Sequence, residues 1–128
     1  MFHASPKTGL IELTPQVALD PAGEPFFPEH GAKVYLATDL AACLYWLDRI
    51  WSEKRSTDDW TVYQVTGIYG EIETMDGGQV AVDGRVTVIE LFTVTWQQYK
   101  DFLKDQWNFR DCPSFAEWAK KNDIFQGA

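Results

Sequence analysis

Cysteine and histidine are scarce in this chain. Cys43 and Cys112 are the only thiols and His3 and His30 the only imidazoles. Neither histidine has a ligand-like spacing to a cysteine or to the other, which argues against a zinc site. Sequence signatures are missing too. There is no GxGxxG or Walker-type loop to cradle phosphates and no nucleophile elbow for Ser-His-Asp chemistry. Positive charge is in short supply: 11 Lys and Arg stand against 19 Asp and Glu, for a formal charge of −8. That sign is wrong for nonspecific binding to a nucleic-acid backbone. An acidic surface still suits a basic protein partner or a small ligand in a locally neutral cleft. Long apolar runs are absent, since the longest, Leu40 to Leu47, falls far short of the ~20 residues that span a bilayer. With no basic start leading into an apolar stretch, no signal peptide is expected. Two unpaired thiols then suit a reducing cytoplasm.

What the chain does hold is material for one core. Its 128 residues are 45% apolar and 23% charged, ordinary values for a single globular domain. The 8 Phe, 6 Trp and 5 Tyr supply large buried surfaces without help from a disulfide or structural metal.

Met1 to Ser5 reads as a first strand ending at Pro6. Pro and Gly then recur through Gly31, so a long meandering loop is expected, with apolar patches at Leu10-Ile11-Leu13 and Phe26-Phe27 that pack over something. Lys33 to Thr38 is a β-branched and aromatic run. Leu40, Cys43, Leu44, Leu47 and Ile50 then follow the i, i+3, i+4, i+7 spacing of an amphipathic helix. Thr38 or Asp39 is its expected N-cap. Extended segments are expected at Trp60 to Thr66, Ile68 to Glu73, Gln79 to Val82 and Arg85 to Val94, punctuated by Gly77-Gly78 and Asp83-Gly84. Asp-Gly between such segments predicts a two-residue hairpin turn. Thr95 to Gln98 and Ser114 to Glu117 match the capping box, so two short helices should close the chain. Their aromatic residues, Trp107, Phe109, Phe115, Trp118 and Phe125, are expected in the core. The expected class is α+β, with mostly antiparallel strands.

Three segments in order carry a family resemblance: Phe2-His3-Ala4-Ser5, then Val34-Tyr35-Leu36-Ala37-Thr38 with the helix start behind it, then Tyr63-Gln64-Val65 leading to Gly70-Glu71-Ile72-Glu73. Together they resemble the ADP-ribosyltransferase fold, and within it the compact bacterial group of rifamycin ADP-ribosyltransferases and RNA 2′-phosphotransferases. The resemblance spans Met1 to about Val94. It implies a split, mostly antiparallel β-sheet with one long helix after the second strand. It also implies NAD as substrate, with His3 and Ser5 on the cofactor-binding strand, His3 bonded to a ribose hydroxyl and Tyr35 against the nicotinamide. An acidic residue would stabilise the oxocarbenium-like transition state. The residue types suit those tasks: imidazole donates and accepts, an aromatic face stacks on pyridinium, and a fixed carboxylate stabilises developing positive charge.

The acid has three candidates. Glu71 and Glu73 would share a strand face, two residues apart. Glu90 stands as the single charge among Val86, Val88, Phe92 and Val94, and a carboxylate on such a face must be paired, perturbed or functional. Glu71 is preferred, then Glu73, then Glu90. Packing explains His3 and Tyr35 equally well: one as a strand residue with a satisfied ring, the other as a β-former in a half-buried strand. The phosphotransferase branch surrounds its histidine with cations that this chain lacks. Lys7, Lys33 and Arg49 are the nearest in sequence.

The leading expectation is therefore a small mono-ADP-ribosyltransferase that cleaves NAD and passes ADP-ribose to a protein or small-molecule acceptor. A second class is a noncatalytic acidic inhibitor of a basic protein on the same scaffold. Phage-borne anti-CRISPR proteins of this fold begin with a similar FH-x-SP segment. A third is a reader that binds NAD or ADP-ribose and leaves it intact. The transferase expectation needs His3, Tyr35 and a glutamate to line one dinucleotide-sized hollow.

Overall fold

The computed structural model describes residues 1–17, 19, 22–25, 31–109 and 114–124, with main chain only at 107–109. Three helices pack against a seven-stranded antiparallel sheet, an α+β arrangement. The strands are β1 (Phe2–Ser5), β2 (Glu12–Leu13), β3 (Val34–Ala37), β4 (Trp60–Tyr69), β5 (Ile72–Met75), β6 (Gln79–Val82) and β7 (Arg85–Val94). The helices are α1 (Leu40–Ser52), α2 (Trp96–Phe109) and α3 (Phe115–Lys121). Sheet order is β2-β7-β4-β1-β3-β6-β5.

Much of the sheet is one long bent hairpin. β4 pairs with β7 from Trp60↔Val94 to Tyr69↔Arg85, and β5 pairs with β6 from Ile72↔Val82 to Met75↔Gln79. The tip is Asp76 to Gly78, where Gly77 and Gly78 take φ of 76° and 73°, left-handed values that glycine adopts without steric cost. Halfway along, the links Gly70-Glu71 and Asp83-Gly84 bend the ribbon. A Cβ on Gly84 would collide with the carbonyl of Tyr69, and one on Gly70 with the main chain of Gly84. Asp83 locks the bend: its Oδ1 accepts from the Glu71 amide at 2.6 Å, and its own amide donates to the Glu71 carbonyl at 3.1 Å. Beyond the bend β6 reaches β3, while before it β4 pairs with β1, and β1 meets β3. The sheet therefore curls back on itself around Val34, Leu36, Tyr63, Val80, Val82 and Val86.

The opposite face carries the helices. Asp39 caps α1, its Oδ1 accepting from Ala42 N at 2.7 Å; of the expected apolar stripe Cys43, Leu44, Leu47 and Ile50 are buried and Leu40 half-buried, and Trp51 is buried beside them. α2 opens on a reciprocal capping box: Gln98 N donates to Thr95 Oγ1 at 3.0 Å and Thr95 N donates to Gln98 Oε1 at 2.8 Å. Ser114 caps α3 by accepting from Glu117 N at 3.2 Å. Trp51, Tyr99, Phe102, Phe115 and Trp118 form the centre of this layer, with ring centroids 5.2 to 6.1 Å apart in the contacting pairs. Polar tips find partners: Tyr99 Oη donates to Asp48 at 2.6 Å and Trp118 Nε1 to Asp105 at 2.8 Å.

The fold departs from several of the expectations above. Asp83-Gly84 is the bend of the ribbon and joins strands that are not neighbours, so the hairpin turn lies at Asp76-Gly77-Gly78 instead. Trp60 to Tyr69 is one strand, and Ile68 to Glu73 is broken at Gly70-Glu71. Because β2 forms inside the long loop, α1 follows the third strand, and α2 with 14 residues is no shorter than α1 with 13. The described strands make one sheet, and β1 and β3 join it at a single register pair, Phe2↔Ala37. Of the first loop patch, Leu13 is buried and Leu10 packs on the curled core, while Ile11 is 78% exposed. His30, Phe26, Phe27, Cys112 and Phe125, with the side chains of Trp107 and Phe109, lie outside the described residues. No helix among the described residues is long and apolar enough to cross a membrane.

Candidate functional site

β1 pairs along its whole length with β4, from Phe2↔Gln64 to Ser5↔Thr61, and β3 along its whole length with β6, from Ala37↔Gln79 to Val34↔Val82. Each strand is committed to an outer neighbour. Past Phe2↔Ala37 the two part, and a cavity of about 140 Å³ opens at the parting. His3 and Tyr35 both line it, joined by Gln79 from β6, Trp46 from α1, Trp60 from the start of β4 and Lys33 before β3.

His3 spans the gap. Its Nδ1 lies 2.8 Å from the carbonyl oxygen of Tyr35. A carbonyl only accepts, so Nδ1 carries the proton and the neutral ring presents Nε2 as an acceptor. Burial holds the His3 pKa below its ordinary value, with the Tyr35 carbonyl opposing in part. The Tyr35 hydroxyl donates to the Gly31 carbonyl at 3.4 Å. Cys43 also lines the cavity, but burial, reinforced by the charge of Asp39, pushes its thiol up to about 12. It stays protonated and is no nucleophile at neutral pH.

The other expected site residues lie elsewhere. Ser5 ends β1, buried, its Oγ accepting from Lys7 N at 3.1 Å. Glu71 sits exposed in the bend, and Glu73 exposed on β5. Glu73 pairs with Ala81, which pairs with Tyr35. That places Glu73 two strands from Tyr35, roughly 10 Å between main chains. Glu90 is exposed and accepts from Gly9 N at 3.3 Å. The single apolar face inferred for Val86 to Val94 does not exist. Tyr63 pairs with Glu90 but Val62 with Phe92, so Leu91 is the extra residue of a bulge, and such a residue reverses the alternation. Val86 and Val88 face the curled core, whereas Phe92 and Val94 face the helices. None of Glu71, Glu73 and Glu90 is among the described residues lining the cavity.

Size narrows what the cavity takes. A cavity of about 150 Å³ accommodates benzene, while pockets for drug-sized ligands run to roughly 300–1,000 Å³. That volume is enough for one ring. Gln79, Trp46 and Trp60 have no local signal in the sequence, because only the β3–β6 register and the seating of α1 bring them to the cavity that His3 also lines. Among the described residues, no group of three or more His, Cys, Asp or Glu side chains could hold a metal ion. Comparison with protein-family models, curated proteins and solved structures finds no match.

Proposed function

We propose that the parting of β1 and β3 binds the nicotinamide end of NAD and that the chain does not cleave it. The observation that carries this reading is the lining of the cavity. The histidine and the tyrosine expected for NAD both line it, in a space that fits one ring, yet it has two neutral glutamines, Gln16 and Gln79, and no carboxylate among its described residues. Breaking the glycosidic bond builds positive charge on the ribose, and a nearby fixed carboxylate is the group that would stabilise it. Aromatic faces of Tyr35, Trp46 and Trp60 suit a flat cationic ring. The rest of the dinucleotide would lie outside, with Lys33 the cation at hand. Calorimetry of the chain with NAD, followed by chromatography of the same mixture, tests the proposal. It expects saturable heat and intact NAD, and absent heat or released nicotinamide would overturn it.

The net charge of −8 favours a second reading of another class: an acidic protein ligand drawn to a basic partner. That reading expects no heat with NAD and a partner complex that weakens steeply as salt is raised.

A further inference from the structure

We infer that Asp76-Gly77, at the hairpin tip, is a site of spontaneous conversion of aspartate to isoaspartate, and that the fold withholds the same reaction from Asp83-Gly84. The chain has these two Asp-Gly pairs and no Asn-Gly pair. In such a pair the glycine amide nitrogen can attack the aspartate side-chain carboxyl carbon. The new C–N bond closes a five-membered succinimide and one water leaves. Water then opens the ring at either carbonyl, restoring aspartate or leaving isoaspartate, in which the main chain runs through the side-chain carbon. No oxidant, reductant or enzyme is needed, and glycine lacks the Cβ that would obstruct the attack.

By sequence the two pairs are alike, and their surroundings separate them. Asp76 and Gly77 are both exposed, and neither the Asp76 carboxylate nor the Gly77 amide has a partner among the described residues. A Cβ on Gly77 would meet nothing within 4 Å, so the linking peptide is free to turn toward the carboxyl group. At the bend, Asp83 Oδ1 is held by the Glu71 amide at 2.6 Å and the Asp83 amide by the Glu71 carbonyl at 3.1 Å. Gly84 is wedged against Tyr69 and Gly70. Cyclisation there requires the bend to open first. Conversion at the tip has a structural consequence. Thr38 N and Oγ1 both donate to the Gly78 carbonyl, at 2.8 and 3.1 Å, which fastens the tip to the start of α1. Isoaspartate inserts an extra main-chain atom two residues before that attachment and should loosen it.

Storage of the intact chain for weeks in neutral buffer at physiological temperature tests this. Endoproteinase Asp-N, applied after denaturation, cuts before aspartate and not before isoaspartate, so the loss of each cut reads conversion at its own site. The cut before Asp76 should disappear at least about tenfold faster than the cut before Asp83. In chain stored in guanidinium chloride the two rates should come within about threefold of each other. Equal rates at the two sites in the folded chain would overturn the inference. So would a folded chain that keeps both cuts over a period in which the denatured chain loses them. Asp76→Glu, whose longer side chain would need a six-membered ring, should remove most of the sites in the aged chain that isoaspartate O-methyltransferase can label. Undiminished labelling of that variant would overturn the assignment to Asp76. The Thr38 amide should exchange with solvent faster in the aged chain than in the fresh one, and unchanged exchange would overturn the loosening of the tip.

Discussion

The imidazole of His3 donates its Nδ1–H to the main-chain carbonyl of Tyr35 at 2.8 Å, across the gap where β1 and β3 separate. This one contact ties together two strands that share a single register pair, and it fixes the tautomer of the ring.

A pH dependence follows. Burial depresses the His3 pKa in the folded chain, whereas the unfolded chain takes up a proton near the ordinary value of about 6.5. The stabilising contribution of neutral His3 is thus fully present above that value and is lost as pH falls toward the folded pKa. The loss cannot exceed about 1.4 kcal/mol per pH unit. Denaturant midpoints measured across the mildly acidic range should fall in the wild type and stay flatter in His3→Gln. Parallel curves would contradict this.

The bend should be the most sensitive point of the ribbon. Gly84→Ala drives a Cβ into the Tyr69 carbonyl and should cost about 3 kcal/mol or more. Gly77→Ala meets open space at a φ of 76° and should cost only about 1 kcal/mol, from backbone strain alone. Equal losses in urea unfolding would mean that the two chain segments do not pass so closely at the bend.

The capping box at α2 is separable from the cavity. Thr95→Ala removes the acceptor for Gln98 N and should lower stability by about 1 kcal/mol, while Thr95→Ser should be nearly neutral. Ligand binding should be unchanged in both, as read by calorimetry on the folded proteins.

Helices were largely legible in the sequence because their signals are local. The Leu40 to Ile50 stripe, the Asp39 cap and both capping boxes each rest on residues within a turn or two of one another. The sheet was legible in its strands and misread in its connections. Asp83-Gly84 has the composition of a hairpin turn, but the steric need it meets is the passage of Gly84 over Tyr69 and Gly70, a contact between segments over a dozen residues apart. Glu90 was misjudged for a related reason. Alternation holds only in a regular strand, and nothing in Val86 to Val94 announces that Leu91 is a bulge. His3 and Tyr35 were found through an ordered resemblance, while Gln79 needed the pairing of β6 with β3.

Filling the cavity should separate binding from folding. Ala4 is half-buried on β1 and lines the cavity, so Ala4→Leu places its added carbons in existing space. Binding of nicotinamide should disappear while the thermal midpoint shifts by only a few degrees, about the change expected for a loss under 1 kcal/mol in a domain of this size. Undiminished binding would put the ligand elsewhere.

The central claim is that a ring enters between β1 and β3 and leaves chemically unchanged. Indole N–H resonances of the ¹⁵N-labelled chain, followed during addition of NAD, test it most directly. Trp46 and Trp60 border the cavity, whereas Trp51 and Trp118 are sealed among the helices. The account predicts shifts of the first pair, little change in the second, and no growth of free nicotinamide signals in the same tube. Unmoved Trp46 and Trp60 resonances, or accumulating nicotinamide, would contradict it.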